Sequence, residues 1–244
     1  MTMTVDKTQL AQLNDSDPEY LLRWAWDMGK ERAAILTSLQ NTGSVMIDMA
    51  RRVAPELRVA VIDTLRMPRE TYALIDAFEE RYGITIERFK PDPERLAMMV
   101  NRHGEYLFFD SREKQEFCCR VRKVEPNQRA LDTVDVWITG LRRDQSEKRM
   151  ATPKAGIVVQ RDRKIIKLCP LADWTEEAVW SYIQEHDVPY NPLYDTGYTS
   201  IGCEVCTTPT LPGEEKRAGR WRWMNQLEKK HDKECGLHID GAGI

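Results

Sequence analysis

Ala33-Ala-Ile-Leu-Thr-Ser38, followed by Leu39-Gln-Asn-Thr-Gly-Ser44 and then Val45 to Val53, is the stretch on which the fold turns. The first segment is a short apolar run ending in small polar residues, the pattern of a buried strand. The second is polar and turn-like, and the third carries helical spacing. Strand, polar turn, helix is a layout that points backbone N–H groups at an anion such as phosphate. A plain connection between elements is the alternative reading of the same turn, since it holds one glycine.

The alternation continues outward from that stretch. Asp17-Pro18-Glu19 opens a helix over Tyr20 to Lys30, with Asp as cap and Pro at the first helical position. Downstream, Leu57 to Ile62, Ile84 to Phe89, Val134 to Thr139 and Lys164 to Leu168 read as strands. Helices are expected over Pro68 to Tyr82, Glu94 to Arg102, the charged run holding Cys118, and Thr175 to His186. Strands alternating with helices predict an α/β fold with a mostly parallel sheet covered on both faces. Ligands in such sheets bind at the carboxyl ends of strands, so the turns 38–44, 63–67 and 140–149 are expected to line one crevice. From Val188 onward Pro and Gly punctuate an irregular loop region, and the glycine-rich end after Ile239 predicts a mobile tail.

At 244 residues the chain can bury a core as one large domain. No apolar run approaches the roughly 18 to 20 residues of a membrane span. The start, Met-Thr-Met-Thr-Val-Asp-Lys, lacks a secretory layout, so a cytoplasmic location is expected. Reduced thiols there make metal or catalysis a better account of six cysteines than disulfides. A net charge of −3 argues against general nucleic-acid binding. Local basic knots at Arg112 to Lys123, Arg142-Arg143, Lys148-Arg149 and Lys216 to Arg222 suit a small, multiply charged anion, with solvated helix faces as the bland alternative.

Cys118 and Cys119 are adjacent and make a poor disulfide with each other. Their expected partners are Cys203 and Cys206, a C-x-x-C in the irregular loop region. Four such thiolates hold zinc or an iron-sulfur cluster, and the adjacent pair, unlike two separated knuckles, favours the cluster. Cys169 reads as buried and structural. Cys235 has Lys229, Lys230, His231 and Lys233 before it and His238 after it, which favours thiolate, although a surface cysteine on a tail fits the same residues.

Together, Cys118-Cys119, Ile138-Thr-Gly-Leu-Arg-Arg-Asp-Gln-Ser146, Cys203-Glu-Val-Cys206, Arg217-Ala-Gly-Arg-Trp221 and Glu234-Cys-Gly-Leu-His238 resemble the assimilatory sulfonucleotide reductases. The paired cysteines place the resemblance with the iron-sulfur branch, the adenosine 5′-phosphosulfate (APS) reductases. It spans about Ala33 to His238. The implied fold is adenine nucleotide α-hydrolase-like. The implied organisation is a helical segment over 1–32, a nucleotide-binding α/β domain with the cluster site over 33–213, and a C-terminal arm over 214–244.

The resemblance implies a 4Fe-4S cluster on Cys118, Cys119, Cys203 and Cys206, and Cys235 as the nucleophile that forms an S-sulfocysteine. Lys123, Arg217 and Arg220 are expected on the substrate sulfate. Ser38, Gln40, Leu65 and Gly140 complete the expected substrate set with Arg142, Arg143, Arg149 and His238. No second cysteine on the arm can release sulfite, so an external dithiol is needed, and the family implies thioredoxin or a glutaredoxin-like protein. The loop after the first strand lacks a Ser-Gly-Gly pattern, which argues against ATP pyrophosphatase activity. Two alternatives stay open: use of the 3′-phosphorylated substrate PAPS, which Arg66 would meet, and a zinc-stabilised nucleotide-binding or redox-sensing module without turnover. A homo-oligomer is also left open.

Overall fold

The structure, a computed structural model, describes residues 5–228. Six strands form one sheet: β1 (Ala33–Thr37), β2 (Arg58–Ile62), β3 (Ile86–Phe89), β4 (Val136–Ile138), β5 (Ala155–Gln160) and β6 (Arg163–Leu168), in the order β3-β2-β1-β4-β6-β5. All neighbours are parallel except β5 and β6, which form an antiparallel hairpin with Gln160 opposite Arg163. The helices are α1 (Lys7–Asp15), α2 (Pro18–Gly29), α3 (Asn41–Val53), α4 (Arg69–Tyr82), α5 (Pro93–His103), α6 (Arg112–Cys119), α7 (Glu125–Asp132), α8 (Glu176–Glu185) and α9 (Arg222–Glu228).

Both faces of the sheet are covered, and the side-chain alternation of each strand shows how. Ala33 and Ile35 of β1, Val59 and Val61 of β2, and Val136 and Ile138 of β4 pack with Leu21, Leu22 and Ala25 of α2, with Ile47 of α3 and with Val179 of α8. Their sequence neighbours Ala34, Leu36, Ala60, Ile62 and Trp137 turn to the opposite face, against Ala130 and Leu131 of α7. Strands buried on both sides read as unbroken apolar runs for this reason. The expected α/β fold with helices on both faces is the observed one.

Several boundaries differ from expectation. α3 begins at Asn41, capped by Gln40, so only Ser38 to Gln40 is left as turn. Leu39 takes a left-handed φ of 54° there, and Asn41 to Ser44 are buried as the first helical turn. Gly43 permits this packing, since a Cβ on it would lie 2.0 Å from Thr37 Oγ1. The strand expected at Ile84 starts at Ile86. Three elements went unpredicted: α1, the edge strand β5, and α9. β5 escapes because its Ile157 and Val159 are exposed, so its apolar residues follow no core-facing alternation. The charged helix also divides: after α6 the chain widens into a π-helical turn over Arg120–Val124 before α7. Pro126, which has no N–H for the carbonyl of Arg122, supplies the cause.

The sheet order reverses direction on either side of β1, between β2 and β4. The connections after the two adjacent parallel strands β1 and β4 lead to opposite sides, and a crevice opens beyond their carboxyl ends. No helix among the described residues is long and apolar enough to cross a membrane.

Candidate active site

The crevice at this switch point is lined from five directions: the β1 end with α3, the segment after β2, α6 with the π turn, the segment after β4, and the 199–221 loops. Its floor holds buried hydroxyls at strand ends and at the start of α3: Thr37, Thr42, Thr64 and Thr139. Burying so many hydroxyls costs stability unless they serve a ligand or each other. Ser44 Oγ and Thr139 Oγ1 have no hydrogen-bond partner.

At the β1 end, Ser38 Oγ accepts from Gln40 Nε2 at 3.1 Å, and Gln40 Oε1 accepts from Ile201 N at 3.1 Å. Gln40 thereby ties the turn to the loop region across the crevice. The first backbone amides of α3 are engaged locally, Asn41 N with the Tyr194 hydroxyl at 3.3 Å, Thr42 N with Asn41 Oδ1 at 2.8 Å and Gly43 N with Gln40 O at 2.8 Å, while the positive end of the helix dipole there still favours an anion. Gly140 allows the β4 end to approach α3, its α-carbon side facing Thr42 at 3.2 Å from where a Cβ would stand. Arg142, only 2 % exposed, donates to Thr42 Oγ1 at 2.8 Å and is forked onto Asp144 at 2.9 and 3.2 Å. Arg149 lines the same wall beside Gln145.

The cysteine end is built by two elements. Cys118 and Cys119 close α6, and four residues on, Arg122 and Lys123 fall on the same helix face, so all four line the crevice. Opposite them stand Cys203 and Cys206. The two pairs share one cluster of packed side chains with Phe108, Trp221 and Met224. Gln115 Nε2 donates to Cys119 Sγ at 3.2 Å, and Cys203 Sγ donates to Thr64 Oγ1 at 3.3 Å. None of the four is in a disulfide. Burial pushes the Cys118 thiol up, partly opposed by Arg66 and Arg122. Burial, with the charge of Cys203 added, pushes Cys206 up to about 12. Among the described residues no three His, Cys, Asp or Glu side chains stand so as to hold a single metal ion.

Around this end, polar hydrogens lack acceptors. Arg66 Nη1, Arg122 Nε, Arg220 Nε and Trp221 Nε1 are buried with no partner. Arg220 is 6 % exposed and none of its guanidinium nitrogens makes a hydrogen bond or ion pair among the described residues. It lies against Gly202, where a Cβ would come within 2.2 Å of the guanidinium. Lys123 likewise has no ion-pair partner among the described residues, whereas Lys216 is held by Glu176.

Of the residues expected from sequence, Ser38, Gln40, Lys123, Gly140, Arg142, Arg149, Arg217 and Arg220 line the crevice with the four cysteines. Two do not. Leu65 is 44 % exposed and stands with Lys90, Pro91 and Leu96 on another face, because its left-handed φ of 58° turns the side chain out. Arg143 donates to Thr152 O at 2.9 Å, away from the crevice. Cys235 and His238 lie outside the described residues. Sequence reasoning missed Tyr194, whose hydroxyl accepts from Asn41 N at 3.3 Å at the α3 start. Burial raises its phenol, so its proton is retained and has no acceptor among the described residues. No spacing signal marks a tyrosine in an irregular loop. Glu176, at the start of the helix expected over Thr175 to His186, puts a carboxylate in the crevice wall.

Fold and crevice together define a doubly wound α/β protein with a cationic, cysteine-ended ligand site at its switch point. The phosphoadenosine phosphosulfate reductase domain profile matches residues 32–209. An adenosine 5′-phosphosulfate reductase of Allochromatium vinosum is 45 % identical over 202 residues, covering 83 % of this chain and 77 % of that protein. One of Pseudomonas aeruginosa is 38 % identical over 244 residues, covering 98 % of this chain and 88 % of that protein. The crystal structure of a PAPS reductase from Candida auris, a phosphate complex, superposes with a TM-score of 0.72 at 31 % identity, covering 85 % of this chain and all of that one. A Candida glabrata FMN adenylyltransferase shares the fold at a TM-score of 0.54 and 12 % identity. The chain therefore belongs to the phosphoadenosine phosphosulfate reductase domain family, and within it stands with the adenosine 5′-phosphosulfate reductases.

Proposed function

We propose that the chain reduces APS to sulfite and AMP in sulfate assimilation, through an S-sulfocysteine on Cys235 and with thioredoxin or a similar dithiol as reductant. The observation that carries this reading is the buried Arg220 guanidinium, which faces the crevice with no anionic partner among the described residues. A buried cation without a counter-ion calls for one from outside. Lys123, beside it in the crevice, adds a second unneutralised charge.

The positive end of α3, with Ser38 and Gln40, holds the phosphate end of the nucleotide, and Arg142 braces that helix through Thr42. Lys123, Arg217 and Arg220 hold the sulfate. The Cys235 thiolate attacks sulfur, the S–O bond breaks, and the electron pair leaves with AMP. The cations offset the approach of one anion to another. One thiolate of an external dithiol then attacks the Cys235 sulfur, sulfite leaves, and the partner closes its own disulfide.

The cysteine end suits an anionic iron-sulfur cluster. Four thiols ring it, and orphaned N–H groups of Arg66, Arg122 and Trp221 surround it. Thiolates around one zinc would stand about 3.8 Å apart, whereas a cluster sets its own atoms between them and needs a wider ring. Cys118, Cys119, Cys203 and Cys206 would hold it. Bound there, a 4Fe-4S cluster supplies a compact negative core that ties α6 to the C-x-x-C turn. Arg66, the residue that would meet a PAPS 3′-phosphate, has its Nη2 taken by Glu105 and lies in the wall beside Cys118 and Cys203, which supports APS as the substrate.

The test is mass analysis of anaerobically prepared protein exposed to APS, or separately to PAPS, without reductant. Sulfonation of Cys235 by APS is the expected result. Sulfonation by PAPS as well would widen the substrate class, and no modification of Cys235 with an intact metal site would overturn the covalent route.

A further inference from the structure

Arg66 follows β2, and its backbone carbonyl accepts from Glu204 N at 2.8 Å, between the two cysteines of the C-x-x-C turn. Its guanidinium is divided in use. Nη2 donates to Glu105 through both the backbone carbonyl, at 2.6 Å, and the carboxylate. Its flat face lies over the Phe108 ring, 4.8 Å from the centroid. Nη1 is buried and has no acceptor. Glu105 also stands 3.5 Å from Arg122, whose Nη1 donates to Thr64 O at 3.1 Å and whose Nε is likewise buried without an acceptor. One half-exposed carboxylate thus grips two cations from the solvent side. The ungripped N–H of Arg66 is left in the wall that holds Cys118, Cys203 and Cys206.

We propose that Arg66, anchored by Glu105 and Phe108, is a positioning residue that offers Nη1–H to the sulfurs of the cysteine-held cluster and sets its reduction potential. This rests on the cluster reading above. An unmade hydrogen bond on a buried cation is costly, and thiolate and sulfide sulfurs are the acceptors the surrounding residues imply. A nearby cation stabilises the more negative, reduced cluster and moves the potential upward. Glu105 sets how much of that charge the cluster feels.

The test uses the full chain prepared anaerobically, with iron and sulfide measured before an electrochemical titration and a chelator-release assay. Arg66→Met should shift the midpoint to more negative values and release iron several-fold faster, and Arg66→Lys should recover part of the shift. Glu105→Gln removes a negative charge while keeping an acceptor, and should shift the midpoint the opposite way. A merely structural role would move both variants in one direction. A wild-type midpoint and release rate in an iron-loaded Arg66→Met protein, or shifts of the same sign in both variants, would overturn the inference. If Arg66→Met does not fold, the sign of the Glu105→Gln shift decides. Wild-type protein carrying zinc, or neither iron nor sulfide, would overturn the cluster reading itself and the inference with it.

Discussion

Arg220 carries its charge into a wall where nothing among the described residues neutralises it, so stability and binding oppose each other there. Replacing an unpaired buried charge by an apolar group of similar length is neutral or stabilising. Arg220→Met should therefore keep or raise Tm by a few degrees in differential scanning fluorimetry. Its kcat/KM should fall about 10- to 100-fold, the cost of one charged hydrogen-bonding partner. Lost stability with unchanged kcat/KM would assign Arg220 to structure. Cys169 makes the contrast. Burial, relieved only in part by Lys167, pushes its thiol from 9.0 to about 11. The folded pKa lies above the unfolded one, so this contribution is full below about pH 9 and is lost as pH rises toward 11. Cys169 should stay unalkylated in native protein at neutral pH. Tm measured from pH 8 to 11 should fall less steeply in Cys169→Ala. The buried role of Cys169 was legible in sequence, because an apolar run precedes it. The roles of Leu65 and Arg143 were not, since a motif carries a residue's position and not its backbone torsion.

Among elements, the start of α3 is where the site is most sensitive to packing. Gly43→Ala would drive a Cβ into Thr37 Oγ1 and push the helix from β1. A loss of about 1–3 kcal/mol in denaturant unfolding is expected, together with weaker AMP binding, because the positive helix end and the Ser38 to Gln40 turn move with the helix. The π turn after α6 is the second such element. It follows from Pro126, a feature visible in sequence, but its consequence depends on a helix continuing on both sides, which charge and spacing alone do not reveal. β5 shows the opposite limit. Periodicity reports burial, and an edge strand with Ile157 and Val159 outward gives it nothing to report.

For the whole molecule, a net charge of −3 coexists with a crevice carrying Arg122, Lys123, Arg142, Arg217 and Arg220. Such a concave site concentrates field for an anion although the protein repels anions at long range. AMP at about 100 times its Kd should raise stability by about 2.7 kcal/mol, or Tm by roughly 5–10 °C, and the gain should shrink with added salt. A Tm indifferent to AMP would place the nucleotide elsewhere. The sequence by itself determined the α/β alternation and the strand-end turns, because burial on both faces and turn chemistry are local properties written in residue order, and thiol chemistry alone made the two cysteine motifs each other's expected partners. Only the tertiary structure decided that β1 and β4 lie side by side at the switch point, that Leu65 and Arg143 turn away, and that Arg66 is gripped by Glu105. Those outcomes depend on which distant segments share a space, and neither residue spacing nor composition contains that distance.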